Sequence, residues 1–304
     1  MHLTLRQLKV FAAVARHLNY TRAAEEMHLT QPAVSMQIKQ LENNVGLPLF
    51  EQIGKQIYLT EAGREMYHYS RVIAQQLEEA DTVIDSLKGV QRGRLAIAVA
   101  STANYFAPRL LATFSGSHTA VTISLDVTNR EGLLKQLESN EKDLVIMGRP
   151  PAQMDLAAEP FLDNPLVIIA SPGHALVGRQ NIPLADLQHE TFVVREHGSG
   201  TRIAMERFFS EQGVRLETGM EMSSNEAIKQ AVQAGLGLGI VSMHTLGLEL
   251  ETKRLVVLNV QSFPIMRHWY IVHWRGKRLS PVAQAFKEFV LNEGAGLISV
   301  PGQG

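Results

Sequence analysis

The sharpest chemical signal in the chain is His197-Gly198-Ser199-Gly200-Thr201-Arg202, which follows an apolar run and leads into a helical stretch. Gly198 and Gly200 let backbone N–H groups converge. Ser199 and Thr201 add hydroxyl donors, the helix start adds partial positive charge, and Arg202 adds a full one. Such a set suits an anion, either phosphate or carboxylate. The alternative is an ordinary helix cap with Arg202 salt-bridged at the surface. Ala100-Ser101-Thr102-Ala103-Asn104 repeats the strand-to-helix context. Arg149, after the strand-like 143–147, could be a second anion clamp, although an ion pair explains it equally well. Asn129-Arg130-Glu131 is similar. Asn225, in Ser223-Ser224-Asn225, caps a helix first and lines a cleft second. Gly235, Gly237 and Gly239 spell GxGxG, but they end a helix and lead into a strand, the wrong context for a dinucleotide.

A second chemistry lies in residues 31–45. On a helical wheel Val34, Ile38, Leu41 and Val45 share one face, and Pro32, Ala33, Ser35, Met36, Lys39, Gln40 and Asn43 occupy the other. That outer face is slim, polar and nearly free of acid, as an element entering the major groove must be. Gln40 can pair with adenine, Lys39 can reach guanine or phosphate, and Ala33 and Met36 can touch thymine methyls. Thr30, Ser35 and the helix start suit phosphate, and Gln31 is expected in the same DNA-contacting set. A plain helical bundle with a solvated face is the competing reading. Residues 1–60 carry a net charge of only +2, so binding would depend on dimerisation.

Catalysis is not expected. The sequence has no G-x-S-x-G elbow, P-loop or H-E-x-x-H. Its eleven histidines are scattered, and His268 and His273 lie five apart around a strand. The absence of cysteine excludes thiol chemistry and cysteine-ligated zinc. No catalytic residue, metal or cofactor is assigned.

The elements that must hold these residues change character along the 304-residue chain. Residues 1–60 read as helices followed by a wing. Thr21 is expected to cap a second helix and Thr30 a third, which ends at Gly46. Residues 49–59 suit a hairpin turning at Gly54-Lys55, with Lys55 its only cation. Thr60 then caps a helix over 61–88. Its stripe Ala62, Met66, Tyr69, Ile73, Leu77, Ala80, Ile84 and Leu87 has coiled-coil spacing and wants a partner, most simply the same helix of a second chain. Residues 90–93 read as a hinge.

Beyond them strands are expected over 95–100, 121–127, 143–147, 166–171, 192–195, 219–222, 239–242, 255–260 and 269–274. Helices are expected over 105–115, 131–138, 184–188, 201–212, 225–234 and 281–291. This βαβ rhythm implies mostly parallel sheets in two small α/β lobes. The start of the chain lacks the apolar core of a secretory signal, and runs such as 166–170 are too short to span a bilayer. The expectation is a cytoplasmic protein without membrane contact.

The stretch from Asn19 to Gly63 resembles the winged helix-turn-helix of the LysR-type transcriptional regulators. The match lies in Ala23-Ala24, Thr30-Gln31-Pro32-Ala33-Val34-Ser35, Gln37-Ile38, Leu41-Glu42, Gly46, Leu49-Phe50 and Leu59-Thr60-Glu61-Ala62-Gly63. The resemblance covers essentially the whole chain, more weakly past residue 90. It implies a DNA-binding domain over 1–60, a dimerising linker helix over 61–89 and an effector domain over 90–304. That domain would have two Rossmann-like lobes resembling periplasmic binding proteins, one over about 90–162 and 268–304, the other over about 163–267. Tetramers are usual in the family. Met36 and Gln52 stand where many relatives carry arginine.

The effector segments resemble the RuBisCO-operon branch of that family, through 101–108, Met147-Gly148-Arg149-Pro150-Pro151, Arg195-Glu196 and 198–202; Met36 agrees with that branch. This implies an activator of carbon-fixation genes that binds operator DNA and RNA polymerase. Its effector would be a phosphorylated metabolite or NADPH, bound between the lobes by Ser101, Thr102, Asn104, Asn129, Arg149, Gly198, Ser199, Gly200, Thr201, Arg202 and Asn225. A regulator of another operon with a carboxylate effector is the alternative. A pure solute-binding module would leave the first 90 residues unused.

Overall fold

The computed structural model describes residues 3–54, 56–87 and 93–299. The chain forms two compact units. In the first, helices α1 (Leu5–His17), α2 (Tyr20–Glu26) and α3 (Gln31–Val45) precede strands β1 (Phe50–Ile53) and β2 (Gln56–Leu59) and the long helix α4 (Glu61–Leu87). A capping box between Thr4 and Gln7 starts α1. The cap of α2 is Asn19, whose Oδ1 accepts from the amides of Thr21 and Arg22. Thr21 was the expected cap, but the carboxamide one residue outside the helix reaches two orphan amides at once. Thr30 caps α3 as expected, and Gly46 ends it at φ +80°.

Val34, Ile38 and Leu41 of α3 join Val10, Phe11, Val14, Ala23 and Leu49 in one core. The Glu42 carboxylate accepts from the amides of Leu49 and Phe50, binding the end of α3 to the antiparallel wing. Thr60 Oγ1 accepts from Gly63 N at 3.0 Å and donates to Pro48 O. A Cβ on Gly63 would collide with the Leu49 carbonyl, so only glycine lets α4 start there. The α4 stripe divides: Ala62 and Met66 pack on the first unit's own core, while Tyr69, Ile73, Leu77 and Ile84 are exposed. Lys55, Lys88 and residues 90–92 of the expected hinge lie outside the described residues.

The second unit contains two five-stranded sheets. Its elements are β3 (Gly93–Ala100), α5 (Ala107–Ser117), β4 (Val121–Thr128), α6 (Arg130–Glu138), β5 (Leu144–Met147), β6 (Leu156–Asp163), β7 (Leu166–Ala170), β8 (Thr191–Arg195), α7 (Gly200–Glu211), β9 (Glu217–Met222), α8 (Asn225–Gln233), β10 (Leu238–Ser242), α9 (Gly247–Glu251), β11 (Val256–Val257), β12 (His268–Trp274) and α10 (Pro281–Leu297). The orders are β4-β3-β5-β12-β6 and β11-β7-β10-β8-β9. Each sheet buries apolar side chains on both faces, so its central strands are nearly all apolar.

Both sheets are mixed rather than mostly parallel. Strand β12 runs antiparallel to β5 and β6, and β7 runs antiparallel to β10 and β11. Strand β6 was not expected, because Glu159-Pro160 interrupts its pattern. It holds the sheet edge, where Pro160 needs no donor, and its pairing with β12 shifts register there. The helix expected over 105–115 is a short 3-10 turn, Ala103–Tyr105, followed by α5, and the segment Leu184–His189 is likewise 3-10. The strand expected over 255–260 shrinks to Val256–Val257.

The chain passes between the sheets twice, after β6 and before β12. The two passages pair with each other: Asn164 N donates to Arg267 O at 2.8 Å, and Leu166 and Ile265 exchange two 3.0 Å bonds.

Candidate functional site

The outer face of α3 is open. Thr30, Gln31, Pro32, Ser35, Met36, Lys39, Gln40 and Asn43 are exposed, and Ala33 is half-buried. Thr30 Oγ1 already accepts from Ala33 N, so its first role is capping. Met36 is 64% exposed, a large apolar side chain with no core to join. Among the nearby acids, Glu42 is turned to the wing amides and Glu26 pairs with Arg16 and His17. The presented groups are amide, hydroxyl, thioether and ammonium, a set that reads base edges and phosphates.

The second unit contains a cleft at the carboxyl ends of its strands, the usual ligand position in open α/β sheets. Its cavity proper is about 40 Å³, at the base of an open depression of about 460 Å³ that includes solvent, a size that suits a compact ligand rather than a drug-sized one. Ala100, Ser101 and Thr102 come from the end of β3, Asn129, Arg130 and Leu133 from the start of α6, and Met147 and Gly148 from the end of β5. Arg195 comes from the end of β8, and Ser199, Gly200 and Thr201 from the start of α7. Asn164, Arg267 and Trp269 come from the paired passages and β12.

Six residues expected from sequence therefore meet there: Ser101, Thr102, Asn129, Ser199, Gly200 and Thr201. Ser199 Oγ does not cap α7. The helix therefore presents first-turn N–H groups and its positive end to the cleft.

The other five do not line it. Arg202 is the main correction. Its guanidinium bonds Glu206 at 2.7 Å, the Arg195 carbonyl at 2.9 Å, His197 at 3.1 Å and also Glu221. Burial lowers its pKa, but the bonds to Glu206 and Glu221 outweigh burial and raise it. It is ion-paired within the fold and is not among the residues lining the cleft; the pairing lies in a buried position rather than at the surface. Arg149 is exposed, and only its carbonyl is used, accepting from Arg130 Nη1 at 2.8 Å. Asn104 is exposed, Gly198 forms the turn at φ +80°, and Asn225 accepts from Arg195 at 3.1 Å. Arg195 itself is neutralised by a two-bonded pair with Glu196.

The decisive group is one that sequence reasoning missed. Arg267 donates from Nη1 to Gly200 O at 2.8 Å, and among the described residues no carboxylate pairs with it. Burial, then the neighbouring Arg130 and Arg207, push it down to about 10. It remains a cation at neutral pH. Arg130 beside it is also lowered by burial. Trp269 adds an indole N–H that is buried without an acceptor among the described residues. A half-buried cation with no carboxylate partner among the described residues, an uncapped helix start and an orphan donor are a set whose chemistry suits an anion. Arg267 stands alone between Met266 and His268, with no glycine or helix start to mark it. The described residues contain no cluster able to hold a metal. No helix among them is long and apolar enough to cross a membrane.

The profile of the LysR substrate binding domain matches residues 88–295, and that of the bacterial regulatory helix-turn-helix proteins of the lysR family matches residues 5–64. The chain belongs to the LysR family. This LysR-family chain is 63% identical to a RuBisCO operon transcriptional regulator of Allochromatium vinosum, over 97% of the chain and 98% of the relative. It is 47% identical to the transcriptional activator CmpR of Synechocystis, over 94% of each. The CcmR regulatory domain of Synechocystis PCC6803, solved in complex with 2-PG, superposes with a TM-score of 0.64 at 44% identity, covering 66% of this chain and 96% of that one. These LysR relatives are regulators and not enzymes.

Proposed function

We propose that this chain is a transcriptional regulator, an activator, of carbon-fixation genes, and that a small phosphorylated acid bound in the cleft controls it. The observation that carries the anion reading is Arg267, a half-buried guanidinium with no carboxylate partner among the described residues. Holding that charge costs about 3 kcal/mol, taken from its displaced titration. A bound anion would recover much of that cost. The gene class is supported by the 63% identity to a RuBisCO operon regulator, and the ligand class by the 2-PG (2-phosphoglycolate) held by the CcmR domain. A compact acid suits the cleft better than NADPH does, because its cations and N–H donors converge on one small region.

In this reading Arg267, Arg130, Ser101, Thr102, Asn129, Ser199, Gly200 and Thr201 hold the effector. Thr30, Gln31, Pro32, Ala33, Ser35, Met36, Lys39, Gln40 and Lys55 contact operator DNA from residues 1–60. The helix over 61–89 joins two chains, residues 90–304 bind effector, and two dimers make a tetramer that meets RNA polymerase in the cytoplasm. Effector changes the closure of the two lobes and so the spacing of paired recognition helices. The test is a gel shift on the promoter of a RuBisCO operon with and without 2-PG, beside calorimetry with 2-PG. Retardation that 2-PG alters, with 1:1 binding per chain, is expected. Failure to bind either DNA or 2-PG would overturn the reading.

A further inference from the structure

Arg267 belongs to the passage that returns the chain from the second sheet to the first, and its carbonyl is held by Asn164 N at 2.8 Å. Its guanidinium leaves that passage and lies beside backbone of α7 and of the segment after β5. On one side Nη1 donates to the carbonyl of Gly200, the first residue of α7, beside the second sheet. On the other side lies Gly148, which follows β5 in the first sheet. A Cβ there would stand 2.5 Å from Nη2 of Arg267 and 3.5 Å from its central carbon, and would meet no other atom. Gly148 is not among the left-handed glycines, so its backbone does not require glycine. What requires it is the space the guanidinium occupies. At Gly200 a Cβ would be 3.5 Å from Nη2, an ordinary contact, so of the two glycines beside the cation only Gly148 is crowded by it.

We infer that Gly148 is a positioning residue for the anionic effector: its bare backbone leaves the space in which the Arg267 guanidinium, bonded to the Gly200 carbonyl, reaches elements of both lobes, so that one anion pairs with a cation touching both. The inference rests on the anion reading above and adds to it a positioning residue that makes no contact of its own through a side chain. It explains how charge neutralisation at one atom group is felt by β5 and α7 together. In the free protein the cation is repelled by Arg130 and Arg207. Pairing with an anion removes that repulsion at the junction of both lobes.

The experiment is a double-mutant cycle on the full chain, with 2-PG and inorganic phosphate as calorimetric probes. G148A should melt like wild type without ligand, since the added methyl meets only the end of a flexible side chain. It should lose at least tenfold in 2-PG affinity. R267K, whose single ammonium lacks the clashing Nη2, should lose affinity alone and lose no more when G148A is added. Phosphate should follow the same pattern at weaker affinity. Wild-type affinity in G148A would overturn the inference while leaving the anion site standing. So would losses that simply add in the double variant. Should G148A fail to fold, the seat is wrong in another way: the methyl must then meet backbone, and the inference falls as well. If wild type binds neither probe, the anion reading itself fails.

Discussion

Asn164 and Arg267 meet backbone to backbone where the chain passes between the two sheets, and both send their side chains into the cleft. Asn164 is fixed there by Ser242, whose hydroxyl donates to Oδ1 at 2.7 Å. Ligand contacts at this point fall on the segments about which the lobes would move. Under the proposed function an effector bound there would act on these passages directly.

Replacing the unpaired cation should separate stability from binding. Arg267→Met removes a half-buried charge that Arg130 and Arg207 repel and no carboxylate neutralises, so the ligand-free protein should gain stability, seen as a higher Tm. The same variant should lose the ligand-induced rise in Tm, which in wild type corresponds to about 2.7 kcal/mol at a hundredfold excess over Kd. A lower Tm in the ligand-free variant would show that Arg267 is satisfied within the protein.

Arg202 should behave in the opposite sense. Its bonds to Glu206, Glu221 and the Arg195 carbonyl are internal. Arg202→Ala should cost about 1–3 kcal/mol of stability, because a buried acceptor is left unpaired. Affinity for 2-PG should stay within a few-fold of wild type, as calorimetry can establish. Loss of binding with unchanged Tm would return Arg202 to the effector site.

His244 makes the second unit acid-sensitive. Its Nε2 donates to the Asp163 carbonyl at 2.8 Å, which leaves the buried Nδ1 unprotonated and without a partner. Burial lowers its pKa despite that bond. The unfolded chain then binds the proton more readily than the folded one below about pH 6.5. Stability is full above that value and falls as pH drops towards the lowered folded pKa. His273, also lowered by burial, acts in the same direction. Melting curves from pH 7.5 to 5.5 should flatten in His244→Gln, and an unchanged slope would remove His244 as a source.

On the DNA side, Lys39→Ala and Ser35→Ala should each weaken operator binding by about 1–3 kcal/mol if the residue contacts a base. If Lys39 touches phosphate instead, the salt dependence should fall by about one unit of slope. Gel shifts across a salt series distinguish the two cases, and unchanged affinity in both variants would take this face out of the interface.

The exposed part of the α4 stripe gives a test of assembly. Leu77 is 38% exposed between Ile73 and Ile84, also open. Leu77→Asp would bury a charge wherever a second chain covers that stripe, and should halve the mass seen by sedimentation. Retention of the native mass would place the subunit contact elsewhere.

The first unit was largely legible in the sequence because its signals are local. Thr30, Pro32 and Gly46 bracket α3 by capping rules, and Gly54 marks the wing turn. In the second unit the alternation of strands and helices was legible, β12 among them, whereas β6 was hidden by Pro160 and the antiparallel direction of β12 by the distance in sequence of its partners. Half of the cleft was legible for the same reason as α3: Ser101, Asn129 and Gly200 sit at strand ends and helix starts, which leave a pattern. Arg267 leaves none. It acquires its role from backbone contributed by Gly148 and Gly200, over 60 residues away, and no local rule reports such an encounter. Arg202 misled because a cation at a helix start looks the same whether it faces a ligand or Glu221.

The close fit of Gly63 against Leu49, with Thr60 bonded to both Pro48 and Gly63, leaves α4 no swivel relative to the wing. The helix therefore works as a lever rigidly welded to the reading head. Over its length of about 40 Å, a tilt of one degree sweeps an arc of roughly 0.7 Å. A small tilt of the wing and α3 is thus amplified into a displacement several times larger at the far end of α4.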